Sequence, residues 1–379
     1  MHICFLTHEY PKPGLNHGGV GTFVKSLAFS LVECGHHVSV VGTNNSTISE
    51  RSSDLGVLIY RVALPSVKGL NWFFISKRIN RVLEEIHLKN PIDIIEGSEL
   101  SLAFISKIPE ITYVIRMHGG HHFFSKFENR KMEPWKVFQE KRSFNKADAI
   151  VGVSEFVTQE TVSLLNIKDK IVHTIYNSID TSKFVPTNIE VIPDSILFVG
   201  TLVAKKGIIE LVQAMNYVLK SHPKAMLTVV GRAVNIPGTN ENFLPVLEKS
   251  ITDDVRNHVR IIGAVPHSKV IDMIQSTEIC CYPSHMEAMP LAWLEALCLG
   301  KPLVASRLGP GPELVEDGRT GVLCNPRDPV DIANCICRLL DDKVKALQIG
   351  ESARTNIVQK FDSKKVVQTN LEFYTTLIP

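Results

Sequence analysis

The sequence predicts an α/β chain of two doubly wound parallel-sheet domains. Three observations carry that expectation: short apolar runs of strand length alternate with amphipathic helical patterns, Gly-rich loops follow several of the strands, and the alternation pauses once, near Pro186, before resuming.

In the first half, residues 2–7 read as the opening strand. The loop after it, residues 8–21, is rich in Gly and Pro and leads into a helix whose Val20, Phe23, Val24, Leu27, Ala28, Leu31 and Val32 fall at helical spacing, with Gly35 as the stop. Gly18, Gly19 and Gly21 leave that helix start without Cβ atoms, so backbone N–H groups can approach phosphate or sugar oxygens; the same glycines also suit a plain tight turn. A dinucleotide fingerprint would need a glycine where Val24 stands, which disfavours a nicotinamide cofactor. Further strands are expected at 38–42, 57–61, 92–96, 113–118, 149–153 and 171–176. The run HGGHH places His118 at the C-terminal end of a strand, where open parallel sheets hold ligands, with His121 and His122 just beyond. Between residues 121 and 146, seven Lys/Arg (126, 130, 131, 136, 141, 142, 146) meet three Glu (128, 133, 140), interleaved with Phe123, Phe124, Phe127, Trp135, Phe138 and Phe144. Such a mix suits an anionic membrane surface or a lipid-linked acceptor, and equally a solvated helix whose rings fill a core.

The segment 184–193, with two prolines and no amphipathic repeat, reads as a hinge, so a first domain is expected over 1–186 and a second over 187–361. In the second, strands are expected at 195–199, 226–230, 259–262, 278–282, 302–305 and 322–324. A loop over 200–206 and a helix over 208–219 set Lys205 and Lys206 at a helix start, where lysine can meet a phosphate; Lys206, directly before Gly207, is the better placed. The stretch YPSHMEAMPLAWLEALCLG then combines a buried strand end with two carboxylates, Glu287 and Glu295. Leu291, Leu294, Leu297 and Cys298 recur at helical spacing, which predicts a helix over 290–299 with Pro290 in its first turn and Gly300 as its stop. At ~1.5 Å per residue, Pro290 to Glu295 rises roughly 7 to 8 Å, about the reach of a nucleotide from phosphates to ribose. A helix start attracts a diphosphate, and a carboxylate accepts two hydrogen bonds from a vicinal diol. At the C-terminus, Ser363 can cap a helix over 362–379 striped by Val366, Val367, Leu371 and Tyr374.

Composition narrows the alternatives. With 379 residues, 44% hydrophobic and 21% charged, the chain is globular and long enough for two domains. The 41 Lys+Arg against 39 Asp+Glu argue against a dedicated nucleic-acid binder. The N-terminal run reads as a strand and not as a signal peptide, and no apolar run approaches the ~20 residues of a bilayer span, so a cytoplasmic protein is expected. The eight cysteines show no Cys-x2-Cys pair and are expected to be buried, reduced thiols. Asp253-Asp254 and Asp341-Asp342 are expected to be solvated, and no metal site is implied.

In combination, GGVG after the first strand, HGG mid-domain, FVGTLVAKKG opening the second domain, the E-x7-E of Glu287 and Glu295, and GPGPELVEDGRTGVL resemble retaining glycosyltransferases of glycosyltransferase family 4 (glycosyltransferase group 1), over essentially the whole chain. The resemblance implies the GT-B fold, two Rossmann-like domains facing each other across a cleft, with the last helix packing back on the first domain. It implies transfer of a hexosyl-type sugar from a nucleoside diphosphate donor, a UDP-sugar by preference, to a glycan or lipid-linked acceptor, without cofactor or metal. By resemblance, Glu287 receives donor-sugar hydroxyls, Glu295 the ribose diol, and Lys206 with the N–H groups of Met289 to Leu291 the diphosphate. His118 approaches the sugar, Gly18, Gly19 and Gly21 its phosphate, and Gly231 and Gly263 the base. The family's usual Arg is Thr201 here, which leaves Lys206 as the main cation. Its usual Gly-Phe-Gly is Ala288-Met289-Pro290. A nucleotide-sugar 2-epimerase, or a nucleotide-sugar-binding subunit without activity, shares the architecture; peripheral contact with the inner membrane face fits the basic aromatic stretch.

Overall fold

The structure, a computed structural model, describes residues 1–12, 18–44, 46–65, 70–236 and 238–378; residues 13–17 of the Gly/Pro-rich loop lie outside them. The chain divides into two compact units, Met1–Ser178 with Ser363–Pro379, and Ile179–Asp362.

The first unit holds β1 (His2–Leu6), β2 (His37–Thr43), β3 (Glu50–Asp54), β4 (Val57–Val62), β5 (Ile94–Gly97), β6 (Thr112–Met117), β7 (Ala149–Gly152) and β8 (Ile171–Thr174), in spatial order β3-β4-β2-β1-β5-β6-β7-β8. All pairings are parallel except that of the edge strand β3 with β4. The second unit holds β9 (Ser195–Val199), β10 (Met226–Val230), β11 (Val259–Gly263), β12 (Ile279–Tyr282), β13 (Leu303–Ser306) and β14 (Val322–Cys324), ordered β11-β10-β9-β12-β13-β14 and wholly parallel. Strands β1, β5, β7, β12 and β13 are buried along their whole length, because crossover helices cover both sheet faces; this is why they read as unbroken apolar runs. In each sheet the first strand lies inside, and the chain winds outward from it in both directions. The order therefore reverses beside β1/β5 in one unit and β9/β12 in the other, the places where such sheets bind ligands beyond their strand ends.

The unit boundary falls eight residues before the expected one at Pro186. The prolines mark irregular backbone, but hydrogen bonds decide where that backbone belongs. Ile179 N–H donates to Phe361 O at 2.9 Å, Thr181 Oγ1 bonds Asp362, and Arg354 Nη1 donates to Phe184 O at 2.7 Å, so residues 179–186 lie on the second unit.

The last helix, Ser363–Leu377, packs in the first unit. Its Val366, Val367, Phe373 and Tyr374 share one core with Phe5 of β1, Val114 of β6 and Phe23 of the helix Gly19–Glu33. A buried ion pair fixes its register: Arg116 Nε and Nη2 donate to Glu96 Oε1 and Oε2 at 2.7 and 3.0 Å, Arg116 Nη2 also reaches Asn370 Oδ1 at 2.6 Å, and Tyr374 Oη donates to Glu96 Oε2 at 2.7 Å. Charges this deep persist only because most of their polar atoms have partners, two of which, Asn370 and Tyr374, lie on the last helix. Among the described residues no helix is long and apolar enough to cross a membrane.

Candidate active site

In the second unit, the loops after β9 and β12 meet at the strand-order reversal and bring Lys206 and Glu287 together. Lys206 ends a 3-10 turn, Ala204–Lys206, within the stretch expected as plain loop. Gly207 then turns left-handed at φ +67°, and a Cβ there would sit 1.8 Å from Pro283 O, so only glycine lets this turn lie on the end of β12. His285 N–H donates to Lys205 O at 2.8 Å and locks the two loops. Lys206 Nζ consequently reaches Glu287 Oε1 at 2.5 Å, and Glu287 is only 9% exposed. Such a lysine–carboxylate contact is stronger than a hydrogen bond between neutral groups.

The helix beyond is Leu291–Cys298, shorter than expected. Pro290 is its N-cap, at φ −78° and ψ 117°, instead of a first-turn residue, because its extended ψ keeps it out of the helix. Trp293, Leu294, Leu297 and Cys298 are buried and anchor this helix, each large side chain worth about 2–3 kcal/mol. Its first turn carries no acidic side chain, and the N–H groups of Leu291 and Ala292 have no carbonyl one turn back, so the end beside Lys206 and Glu287 is electropositive. Gly300, at φ +70°, closes the far end through Gly300 N–H to Leu297 O and Lys301 N–H to Ala296 O, both 3.0 Å. Glu295 stands one turn in. His267 Nε2 bonds its Oε1 at 3.0 Å, and this hydrogen bond raises the His267 pKa above the usual 6.5. Nothing in the sequence points to His267.

Glycines shape the rest of this rim. Gly231 N–H donates to Gly263 O at 2.9 Å, and a Cβ on Gly231 would lie 1.7 Å from Gly200 O, so β9, β10 and β11 end in one tight turn system. Gly263 turns at φ +82° with nothing within 4 Å of a Cβ. Gly309, at φ +62°, sets the loop after β13 against Met286 Sδ and Glu287 O. Ala288, Met289 and Pro290 are buried, while Thr201 is exposed, and Leu202 N–H beside it donates to Arg232 O at 2.9 Å.

In the first unit the glycines after β1 have separate reasons. A Cβ on Gly21 would lie 1.9 Å from Glu9 O, and one on Gly18 2.5 Å from Glu9 Oε2, so both serve close packing; Gly19 meets nothing within 4 Å and is the one whose openness packing does not explain. His118 follows β6 with its ring edge-to-face on Phe23 at 5.0 Å. Burial and the adjacent Arg116 cation push its pKa down to about 3, which keeps the imidazole neutral. His121 and His122 have structural partners: Glu133 N–H donates to His121 Nε2 at 2.9 Å, and His122 bonds Glu140 through its N–H and Nδ1.

A cavity of about 560 Å³ lies at the β1/β5 reversal, walled by Trp72, Phe104, Phe124, Glu99, Arg130 and Lys136 among others. Glu99 Oε1 and Glu140 Oε1 are buried without a hydrogen-bond partner, and a Cβ on Gly120 would touch both residues. Burial first, then the Glu140 charge, push the Glu99 carboxyl up to about 8, so at neutral pH it holds a proton and can donate. Neither glutamate stands out in the sequence, since nothing local marks a carboxylate that tertiary packing will bury.

Outside these places the cysteines are free; six are buried, but Cys34 is exposed and Cys337 partly so, against the expected burial, because Cys34 lies in the turn after the helix Gly19–Glu33 and Cys337 on the outer side of the helix Pro329–Asp341. Asp253, Asp254, Asp341 and Asp342 are exposed. Among the described residues no three His, Cys, Asp or Glu side chains gather as a metal site.

Comparison with known proteins matches this architecture. The family described as Glycosyl transferases group 1 matches residues 181–356, and that described as Glycosyltransferase Family 4 matches residues 17–183. The chain is 26% identical to the glycogen synthase of Mycobacterium tuberculosis over 99% of its own length and 94% of the relative's. Among solved structures, sucrose-phosphate synthase from Thermosynechococcus elongatus superposes with a TM-score of 0.82 at 19% identity, covering 99% of this chain and 98% of that one. Anabaena HepE in complex with UDP-glucose does so with a TM-score of 0.78 at 18% identity, covering 100% of both. The chain belongs to the group 1, family 4 glycosyltransferases and has their GT-B fold of two parallel-sheet α/β domains.

Proposed function

We propose that the protein moves a hexosyl-type sugar from a nucleoside diphosphate donor, a UDP-sugar by preference, to a glycan or lipid-linked acceptor with retention of anomeric configuration. The observation that carries this reading is the Lys206–Glu287 pair, set at a strand-order reversal beside the bare N-terminal end of the helix Leu291–Cys298. HepE, a structural neighbour, is described with bound UDP-glucose, which supports UDP as the carrier.

The roles follow from charge. Breaking the bond from anomeric carbon to phosphate oxygen leaves negative charge on the diphosphate, and groups already aimed at that charge stabilise the transition state more than the ground state. Lys206 and the N–H groups at Leu291 and Ala292 supply positive charge at that place, so the reaction is read as metal-independent. Glu287 orients Lys206 and accepts hydroxyls of the transferred sugar; Glu295, steadied by His267, accepts the ribose diol. Neutral His118 offers a hydrogen bond without adding charge, Gly19 offers open backbone, and Gly231 and Gly263 border the base. In the first unit the cavity at Glu99 is read as the acceptor's place: a protonated carboxyl at its wall donates to an acceptor oxygen, and Trp72 and Phe104 cover an apolar face.

The test is incubation with UDP-, GDP- and ADP-sugars, following free nucleoside diphosphate with and without glycan and lipid-linked acceptors. Acceptor-dependent release with an axial anomeric product from an axial donor supports retaining transfer. An isomerised sugar still on its nucleotide would assign epimerisation, and binding without turnover across the panel would assign a binding subunit.

A further inference from the structure

We propose that the exposed aromatic and cationic face of the first unit docks on an anionic lipid surface. Trp72, Phe73, Trp135 and Phe138 are 39%, 48%, 46% and 49% exposed. They form one ring-to-ring run: Trp72 lies 5.9 Å from Phe73 and 5.7 Å from Trp135, and Trp135 stacks on Phe138 at 5.6 Å. The basic aromatic stretch therefore divides, with Phe123 and Phe144 in the core and Trp135 and Phe138 outside it. Rings of this kind settle at the headgroup level of a bilayer, where an apolar body and a polar edge are both satisfied.

Charge selects the occupant. Lys131, Lys141 and Arg142 are exposed on the same stretch, as are Lys126, which pairs with Glu160 at 2.6 Å, and Arg130. Of the acids in the same stretch, Glu140 is fully buried, Glu128 pairs with Arg130 at 2.7 Å, and Glu133 alone stands largely exposed, paired with Lys136. The face is therefore positive. A second copy of the chain would bring the same positive face against it, because a two-fold contact opposes like surfaces, whereas anionic headgroups complement it. Trp72 also walls the cavity at Glu99, so docking would favour acceptors carried in the lipid surface; that consequence rests on the acceptor reading, and the docking does not.

The chain has three tryptophans, and Trp293, 1% exposed, is shielded, so changes in emission report on Trp72 and Trp135. Full-length protein is mixed with vesicles of phosphatidylcholine alone or with phosphatidylglycerol, and followed by tryptophan emission and co-sedimentation. The expected result is a blue shift and sedimentation with phosphatidylglycerol vesicles only, weakening as salt rises. Phe138→Glu and Trp135→Ala, both at exposed positions, each lower the bound fraction roughly ten-fold, and Lys131→Gln roughly five-fold, with unchanged circular dichroism. No shift at low salt, or binding that survives both aromatic variants, overturns the proposal. So does a concentration-dependent dimer that Phe138→Glu abolishes while vesicles are ignored. Vesicle binding requires no turnover, so its failure is distinct from a failure of the transferase reading.

Discussion

Replacing Glu99 with glutamine should change how the stability of the first unit depends on pH. Burial, opposed in part by backbone hydrogen bonds and reinforced by Glu140, moves this carboxyl from its ordinary 4.5 to about 8. Between those values the folded chain keeps a proton that the unfolded chain releases, so stability falls as pH rises, by up to about 5 kcal/mol across the window. His118 acts in the opposite sense. Its folded pKa is lowered from 6.5 to about 3, so the unfolded chain binds the extra proton there and stability rises with pH over that range. The two effects oppose each other from about 4.5 to about 6.5, and above that the fall due to Glu99 is no longer offset by His118. Glutamine keeps the shape of the protonated carboxyl and its donor, and it cannot ionise. Urea unfolding followed by circular dichroism at several pH values from about 5 to about 8 should show the variant gaining on wild type as pH rises. Parallel curves over that range would refute the buried, proton-holding carboxyl.

Three further outcomes follow from the geometry. Gly207→Ala places a Cβ 1.8 Å from Pro283 O at φ +67°, so it should cost about 1–3 kcal/mol and weaken UDP binding by displacing Lys206; calorimetry and titration with UDP check both. Tyr374→Phe removes the hydroxyl that donates to buried Glu96, and the urea midpoint should drop by an amount worth about 1–3 kcal/mol; an unchanged midpoint would mean that the last helix is not held through this network. The pKa of His267 is raised by Glu295, so its stabilisation is present below 6.5 and lost as pH rises through the folded value. Glu295→Gln should bring the His267 proton titration, followed by nuclear magnetic resonance, back toward its ordinary position.

What repeats locally is legible in the sequence. Strands buried on both faces read as apolar runs, and Gly35 and Gly300 read as helix stops, so the residues alone locate the two sheets and the loops bearing Lys206 and Glu287. Strand β3, ERSSD, has no such signature, because an edge strand paired on one side needs no apolar pattern. Pro290 reads as a helical residue because proline fixes φ, whereas ψ, which proline leaves free, is extended at 117° and places it outside the helix. Glu99, Glu140 and His267 carry no local signal at all: the first two become special only when β5 and the helix Pro134–Lys146 bury them around Gly120, and His267 only when its helix start lies beside Glu295. Likewise, one aromatic-basic stretch allows both a core and a surface reading, and the fold uses it for both.

The most direct test of the proposed chemistry is a comparison of wild type with Glu287→Gln in acceptor-dependent release of nucleoside diphosphate from the nucleotide sugar that wild type turns over. The variant keeps the volume of the side chain but loses the charge that holds Lys206 and receives the sugar hydroxyls. The predicted result is a roughly 10²–10³-fold lower kcat/KM with the variant still folded by circular dichroism. Equal kcat/KM in the two proteins would contradict the placement of the reaction at Lys206 and Glu287.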